Sequence, residues 1–84
     1  MKKKDVQVQL SNGLEARPIA MLVQLASAYD SSIHMEKDGR KINAKSIMGM
    51  MSLSLDTGET ITVTADGGDE DKALTDIEKF LCGA

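Results

Sequence analysis

The alternation of two hydrophobic spacings constrains the fold of this chain more than any single residue does. Val6, Val8 and Leu10 alternate with polar residues, and a period of two is typical of a strand with one buried face. Beyond Pro18 the apolar residues recur every three or four positions, which predicts a helix with proline in its first turn. The two spacings follow one another along the 84 residues in the order β-α-β-β-α-β-α.

Three further strands are predicted from the same period of two. They are marked by Ile33 and Met35, by residues 41–44, and by Ile61, Val63 and Ala65. The second and third strands are joined at residues 37–40, where Asp-Gly at the centre is a strong hairpin signal. No linker or repeat interrupts the chain, so we predict one α/β (α+β) domain over residues 1–84. Its expected architecture is a four-stranded antiparallel sheet with three helices on one face.

Capping residues set the expected helix boundaries. The first helix should end near residues 29–32. Ser46 is a good N-cap for a second helix of two turns over residues 47–53. The acidic run at residues 69–71 favours the start of a third helix, because carboxylates oppose the positive end of the helix dipole.

Composition excludes several classes of protein. The one cysteine, Cys82, cannot form an intrachain disulfide, and the lone His34 supplies neither a zinc site nor a catalytic triad, so we expect no metal and no cofactor. A net charge of −3 and only two aromatic residues argue against direct binding of nucleic acid. Because the chain has no signal peptide and no membrane-length apolar stretch, we expect a soluble cytoplasmic protein, with Lys2 to Lys4 as a solvated terminus.

Two sequence blocks resemble a known family. Residues 13–18, Gly-Leu-Glu-Ala-Arg-Pro, match the active-site loop of the histidine-containing phosphocarrier protein HPr of the bacterial sugar phosphotransferase system. Glu15 stands where that family has histidine. Residues 36–49 match the regulatory-serine region of the family closely. The resemblance covers nearly the whole chain, and the open-faced β-sandwich of the family agrees with the predicted topology.

The resemblance implies two phosphorylation chemistries. In ordinary members the loop histidine takes a phosphoryl group from Enzyme I and passes it to sugar-specific transporter components, while the arginine that Arg17 matches steadies the phosphate. In many Gram-positive members the serine that Ser46 matches is phosphorylated by HPr kinase/phosphorylase. The product binds the catabolite control transcription factor as a corepressor. A similar subgroup, the Crh proteins, lacks the histidine and retains only the serine pathway. That subgroup usually carries glutamine, so Glu15 departs from both patterns.

Glu15 has two interpretations. A carboxylate near a helix start stabilises the helix by about 0.3–1 kcal/mol, which is a purely structural role. Alternatively, Glu15 imitates a phosphohistidine beside Arg17. The imitation would be partial, because a carboxylate supplies one charge whereas a phosphate carries about −1.5 to −2. Neither interpretation makes position 15 catalytic.

Ser46 also has two interpretations, and they are compatible. As an N-cap it satisfies a backbone N–H of the second helix. As a regulatory phosphosite it would place a phosphate where backbone N–H groups and the helix dipole favour negative charge. The resemblance of the surrounding block favours the phosphosite.

A methionine-rich stretch follows Ser46, and a helix of two turns cannot bury all its apolar residues against one sheet. The predicted core members are Met50, Leu53 and Leu55. The predicted docking surface consists of Ile47, Met48 and Met51, with Leu14 and Ala20 nearby. Methionine suits a surface that accepts several partners, because its side chain is flexible and polarizable.

Together these observations predict a non-enzymatic regulatory protein of the phosphotransferase system and carbon catabolite control, phosphorylated on Ser46. Its predicted partners are HPr kinase/phosphorylase and the catabolite control transcription factor, and its predicted state is a monomer or weak dimer. Two alternatives stay open: a constitutive phosphohistidine-mimicking module acting through Glu15, and a phosphocarrier-type component. The block around Ser46 argues against a third, an unrelated small-molecule-binding domain with the same order of elements.

Overall fold

A computed structural model of the chain describes residues 1–10, 16–53 and 56–83, with Ala16 described in its backbone alone. The element order matches the predicted β-α-β-β-α-β-α. The strands are β1 (Lys2–Gln7), β2 (Ser32–Lys37), β3 (Arg40–Asn43) and β4 (Thr60–Asp66). The helices are α1 (Ala16–Ser27), α2 (Ile47–Met51) and α3 (Glu70–Leu81).

The four strands form one antiparallel sheet in the order β1-β4-β2-β3. In its register Met35 lies opposite Val63 on one side and Ile42 on the other, and Val6 lies opposite Ile61. These side chains share one face of the sheet and are buried. Helix α3 packs on β1 and β4, α2 packs on β3, and α1 packs on the two other helices. The predicted antiparallel sheet with its helices on one face is therefore confirmed.

The core lies between that face and the helices. Its buried helical members include Ile19, Leu22, Ala26, Met50, Ala73, Ile77 and Leu81, and Leu53 joins them just after α2. The spacing of three and four residues along α1 and α3 is the one that predicted both helices. Leu55, the other expected core residue, lies outside the described residues.

The amino-terminal lysines are exposed, as expected of a solvated segment, but Lys2–Lys4 also lie in β1 and pair with β4. Lysine is depleted in strands, so the sequence pattern placed the start of this strand too late. The ammonium of Lys4 contacts the Glu78 carboxylate at 2.7 Å, and that of Lys2 lies 3.7 Å from Asp71. Since β1 is an edge of the sheet, its lysines also disfavour pairing with another chain.

The hairpin between β2 and β3 has the predicted turn. Asp38 and Gly39 have φ angles of 54° and 79°, and two successive positive values are typical of a type I′ turn. Lys37 pairs with Arg40 across the turn, and its ammonium forms an ion pair with Glu59. The hairpin is thereby fixed to the loop that leads into β4.

Candidate phosphorylation and docking site

Ser46 is half-buried and caps the short helix α2. Its backbone is extended, with φ −100° and ψ 111°, and its hydroxyl oxygen accepts a hydrogen bond from the Gly49 N–H at 3.2 Å. The Ser46 carbonyl accepts from Met50 N–H at 2.9 Å, and its own N–H donates to the Asn43 carbonyl at 3.0 Å. The structure therefore confirms that Ser46 is an N-cap. The hydrogen bond from Gly49 holds its hydroxyl at the start of α2.

Gly49 allows the turn after Ser46 to lie close to the sheet. A Cβ atom at this position would come within 3.2 Å of the Ile42 Cγ2 and 3.4 Å of the Ser46 hydroxyl oxygen. The distance to Ile42 is tighter than ordinary van der Waals contact, and the distance to the Ser46 oxygen is at its lower limit. Glycine therefore keeps the space around the Ser46 hydroxyl open and lets the helix pack against β3.

Lys45 connects the loop before α2 to the segment after α1. Its ammonium donates to the Tyr29 carbonyl at 2.7 Å, while its backbone N–H donates to the Asn43 side-chain oxygen at 2.9 Å. The Tyr29 hydroxyl in turn bonds to the Asp76 carboxylate in α3. Ser46 thus follows a residue that is anchored at two points. The sequence alone did not indicate the contact with Tyr29, because it joins residues 16 positions apart.

Helix α2 divides its apolar residues between the core and the surface. Met50 is fully buried, whereas Met48 exposes 83% of its surface, Met51 53% and Ile47 50%. A five-residue helix has one face on the sheet and cannot bury the others. We call Ile47, Met48 and Met51 the α2 patch; its predicted docking role stays a prediction.

The predicted residues of the first helix lie on an element that contacts α2. Arg17 is exposed in the first turn of α1, and Ala20 is half-buried one turn later. Leu14 and Glu15 lie outside the described residues, so their placement relative to the α2 patch stays a prediction.

Met21 is a surface residue that the sequence analysis did not single out. It exposes 52% of its surface on α1, the helix that contacts α2. The helical stripe of Ile19, Leu22 and Ala26 points into the core, and position 21 falls outside that stripe. An apolar residue off the buried stripe was the signal that could have identified it.

Shifted pKa values occur on other elements than α2. A hydrogen bond with Glu59 raises the pKa of the Lys37 ammonium, and hydrogen bonds from the Ser31 hydroxyl and the Asp30 backbone lower the pKa of the Asp69 carboxyl.

Beside the hairpin, a shallow cavity of about 210 Å³ is lined by Lys37, Asp38, Arg40, Ser52 and Leu53. In the described parts of the chain no three His, Cys, Asp or Glu side chains are grouped so as to hold a metal ion. None of the described helices has the length and hydropathy needed to cross a membrane.

A family model described as "PTS HPr component phosphorylation site" matches residues 2–82. The chain belongs to the HPr family. The match runs from β1 to the end of α3 and includes Ser46 and the segment around position 15. The resemblance inferred from the two sequence blocks is therefore confirmed.

Two relatives are HPr-like proteins named Crh. The chain is 49% identical over 81 residues to Crh of Halalkalibacterium halodurans, covering 96% of each protein. It is 47% identical over 81 residues to Crh of Bacillus subtilis, covering 96% of this chain and 95% of that one. The relatives of this chain thus include HPr-family proteins that are named Crh and not HPr.

Solved structures agree with the fold. A phosphocarrier protein HPr from Bacillus anthracis has a TM-score of 0.91 at 49% identity, with 95% of both chains covered. A crystal structure of Bacillus subtilis Crh, described as an intertwined dimer with a swapped domain, has a TM-score of 0.77 at 47% identity. That alignment covers 96% of this chain and 93% of Crh. The HPr fold is therefore common to a phosphocarrier and to a Crh protein, and the fold by itself does not separate their roles.

Proposed function

We propose that this HPr-family protein is a non-enzymatic regulator of carbon catabolite control that is phosphorylated on Ser46. The observation that carries the proposal is the juxtaposition at α2. The Ser46 hydroxyl stands at the N-cap, and the exposed α2 patch begins at the next residue. A kinase that binds the α2 patch would therefore have the Ser46 hydroxyl at the edge of the surface that it covers. The similarity to two Crh proteins supports the same role.

Phosphorylation changes the charge of this surface with little demand on the fold. A phosphate on the Ser46 oxygen adds about −1.5 to −2 charge and three acceptor oxygens. The Gly49 N–H that now donates to the hydroxyl remains able to donate to the phosphoester group. The cap is therefore kept while a strong negative charge appears beside the α2 patch, and a partner that offers cations there distinguishes the two forms.

The proposed partners are HPr kinase/phosphorylase, which adds the phosphate, and the catabolite control transcription factor, which binds the modified protein. We infer that each partner makes an apolar contact and a charged contact with this surface. The α2 patch supplies the first, while Arg17 and phosphorylated Ser46 supply the second. The protein acts in the cytoplasm as a monomer or weak dimer, and the description of Bacillus subtilis Crh as a dimer favours a dimer at high concentration.

The same proposal excludes histidine phosphotransfer at position 15. An imidazole accepts a phosphoryl group near neutral pH and forms a reactive phosphoramidate, whereas Glu15 has no such nitrogen. Enzyme I with phosphoenolpyruvate is expected to leave this protein unlabelled. A mass shift that disappears in Glu15→Ala would contradict this part of the proposal.

A second candidate function is favoured by the Glu15 carboxylate two residues before Arg17. In this function the protein binds targets of phosphorylated HPr constitutively, with no kinase. The two functions differ in one property: the first requires a phosphate on Ser46 for partner binding, and the second does not.

The experiment is labelling with purified HPr kinase/phosphorylase and ATP. We expect one phosphate on Ser46, no labelling of Ser46→Ala, and normal labelling of a histidine-bearing HPr in the same reaction. The modified and unmodified proteins are then titrated with the transcription factor. Absence of labelling, with the HPr control labelled, removes the first function. Equal affinity of the two forms supports the second.

A further inference from the structure

Methionine is distributed unevenly over this protein. Of the six methionines, Met35 and Met50 are fully buried. Met1 is at the terminus and exposed, and the other three exposed side chains are those of Met21, Met48 and Met51. Met21 lies on α1 and the other two on α2, and these helices contact each other. Apart from the terminal residue, every exposed thioether therefore lies on the two helices of the proposed docking surface.

We propose that Met21, Met48 and Met51 form a reversible oxidation site that turns docking off. The oxidant is hydrogen peroxide. The thioether sulfur attacks one peroxide oxygen, and the S–O bond forms as the O–O bond breaks. The proton of the transferred oxygen passes to the leaving hydroxide, which departs as water. Sulfur loses two electrons, and the peroxide is reduced. The effect on docking rests on the proposed function, whereas the selectivity of oxidation does not.

Exposure decides which methionines react. Oxidation of methionine follows access of the oxidant to sulfur, so Met48, with 83% of its surface exposed, should react before fully buried Met35 and Met50. The two protected residues belong to the core, which keeps the fold intact while the surface is modified.

The modification changes the property on which docking depends. A sulfoxide is polar and chiral, whereas the thioether is apolar and flexible. Its oxygen must lose bound water when a partner covers it, and burying a polar group without a hydrogen bond is costly. Of the three residues of the α2 patch only Ile47 is inert to peroxide, so two thirds of the patch becomes polar. Methionine sulfoxide reductases reverse the change.

The first test maps oxidation by mass spectrometry after peroxide treatment. It uses the Cys82→Ser variant, because the exposed Cys82 thiol would otherwise react as well. We expect addition of one oxygen at Met21, Met48 and Met51, with Met1 as an internal reference for a freely exposed side chain. Met35 and Met50 should react only after urea is added. Oxidation of the buried pair at the rate of Met48 in the folded protein overturns the proposal.

The second test uses the same Cys82→Ser protein and measures its binding to HPr kinase/phosphorylase and the rate of Ser46 labelling, before and after oxidation. We expect oxidation to weaken binding by about tenfold or more, which corresponds to about 1.4 kcal/mol, with an unchanged circular dichroism spectrum. Reductases acting on both sulfoxide stereoisomers should restore it. Failure of the untreated protein to bind removes the proposed function, whereas equal binding before and after oxidation overturns only the oxidation switch.

A matched variant locates the effect. Met21→Leu/Met48→Leu/Met51→Leu, made together with Cys82→Ser, keeps an apolar surface that peroxide cannot modify, while the exposed Met1 is still oxidised in it. Its treated and untreated forms are compared with each other, and they should bind equally. A tenfold loss in this variant would place the effect at Met1 and overturn the proposal. If the variant does not bind at all, the proposal is tested by the reductases instead: they should restore the binding of the oxidised protein that carries its methionines, and failure to do so overturns the proposal.

Discussion

The backbone N–H of buried Ser31 donates a hydrogen bond to the Asp69 carboxylate over 3.0 Å, which fixes the loop after α1 to the start of α3. The Asp30 N–H and the Ser31 hydroxyl donate to the same carboxylate. Asp69 is the N-cap of α3, yet its side chain makes no capping hydrogen bond within that helix. The carboxylate therefore stabilises a tertiary contact between two segments 38 residues apart.

The Asp69 contact predicts a loss of stability in acid. Hydrogen bonds from the Ser31 hydroxyl and from the Asp30 and Ser31 backbone N–H groups hold the pKa of the Asp69 carboxyl below its ordinary 3.8. A lowered pKa in the folded state means that the stabilisation is complete above the unfolded pKa and is lost as the pH falls through the folded one. Urea midpoints of the native protein and Asp69→Asn should differ at pH 6 and converge as the pH falls below 3.8. A difference that stays constant over this range would assign the effect to shape and not to charge.

The turn between β4 and α3 predicts a contrast between two adjacent glycines. A Cβ atom on Gly67 would lie 2.7 Å from the Ser31 Cα, whereas one on Gly68 meets nothing within 4 Å. Overpacking of this kind costs about 1–3 kcal/mol, so Gly67→Ala should lower the free energy of unfolding by that amount. Gly68→Ala is the matched control and should be close to neutral. Equal effects of the two substitutions in chemical denaturation would rule out the contact with Ser31 as the cause.

Features of the fold that depend on adjacent residues could be predicted from the sequence. The Asp38-Gly39 turn needs two positive φ angles, which this dipeptide adopts readily, and the Ser46 cap needs only the backbone three residues ahead. The hydrophobic spacing placed β2, β4, α1 and α3 because each element buries one face.

Features that depend on distant partners could not be predicted. Lys2–Lys4 form a strand because β4 offers an unpaired edge, and nothing in three lysines indicates that edge. The contact of Lys45 with Tyr29 joins residues 16 positions apart in sequence, and the exposure of Met21 depends on where the core lies. The position of the Glu15 carboxylate, on which the second candidate function depends, lies outside the described residues.

The division of α2 predicts opposite outcomes for two methionines of the same helix. Met50 is fully buried, so Met50→Ala should lower the free energy of unfolding by about 2–5 kcal/mol. Met48 is exposed, so Met48→Ala should change it by less than about 0.5 kcal/mol. Met48→Asp should likewise leave the domain folded, with a similarly small change in the free energy of unfolding, but it should weaken partner binding. Unfolding of Met48→Asp would show that this side chain is buried and would contradict its place in the α2 patch.

The amino terminus predicts a loss of stability in alkali. The Met1 ammonium lies 3.1 Å from the Glu70 carboxylate, and a hydrogen bond with Glu70 raises the pKa of the ammonium above its ordinary 8.0. A raised pKa in the folded state means that the stabilisation is complete below the unfolded pKa and is lost as the pH rises through the folded one. The urea concentration at the unfolding midpoint should therefore decrease as the pH is raised from 7 to 10. Glu70→Gln should make that decrease smaller. An amino-terminal extension, which moves the charge, is a second variant with the same expected result.

Glu15→Gln distinguishes a carboxylate with a purely structural role from one that imitates a phosphohistidine. If phosphate on Ser46 controls docking, removal of the Glu15 charge should leave kinase labelling unchanged and alter partner affinity by less than about fivefold, since an exposed ion pair contributes about 0–1 kcal/mol. Arg17→Gln is the matched variant that removes the neighbouring cation. Calorimetric titration of both variants with the transcription factor, with and without phosphate on Ser46, measures the two effects separately. A tenfold or larger loss for unphosphorylated Glu15→Gln would favour constitutive binding through the carboxylate.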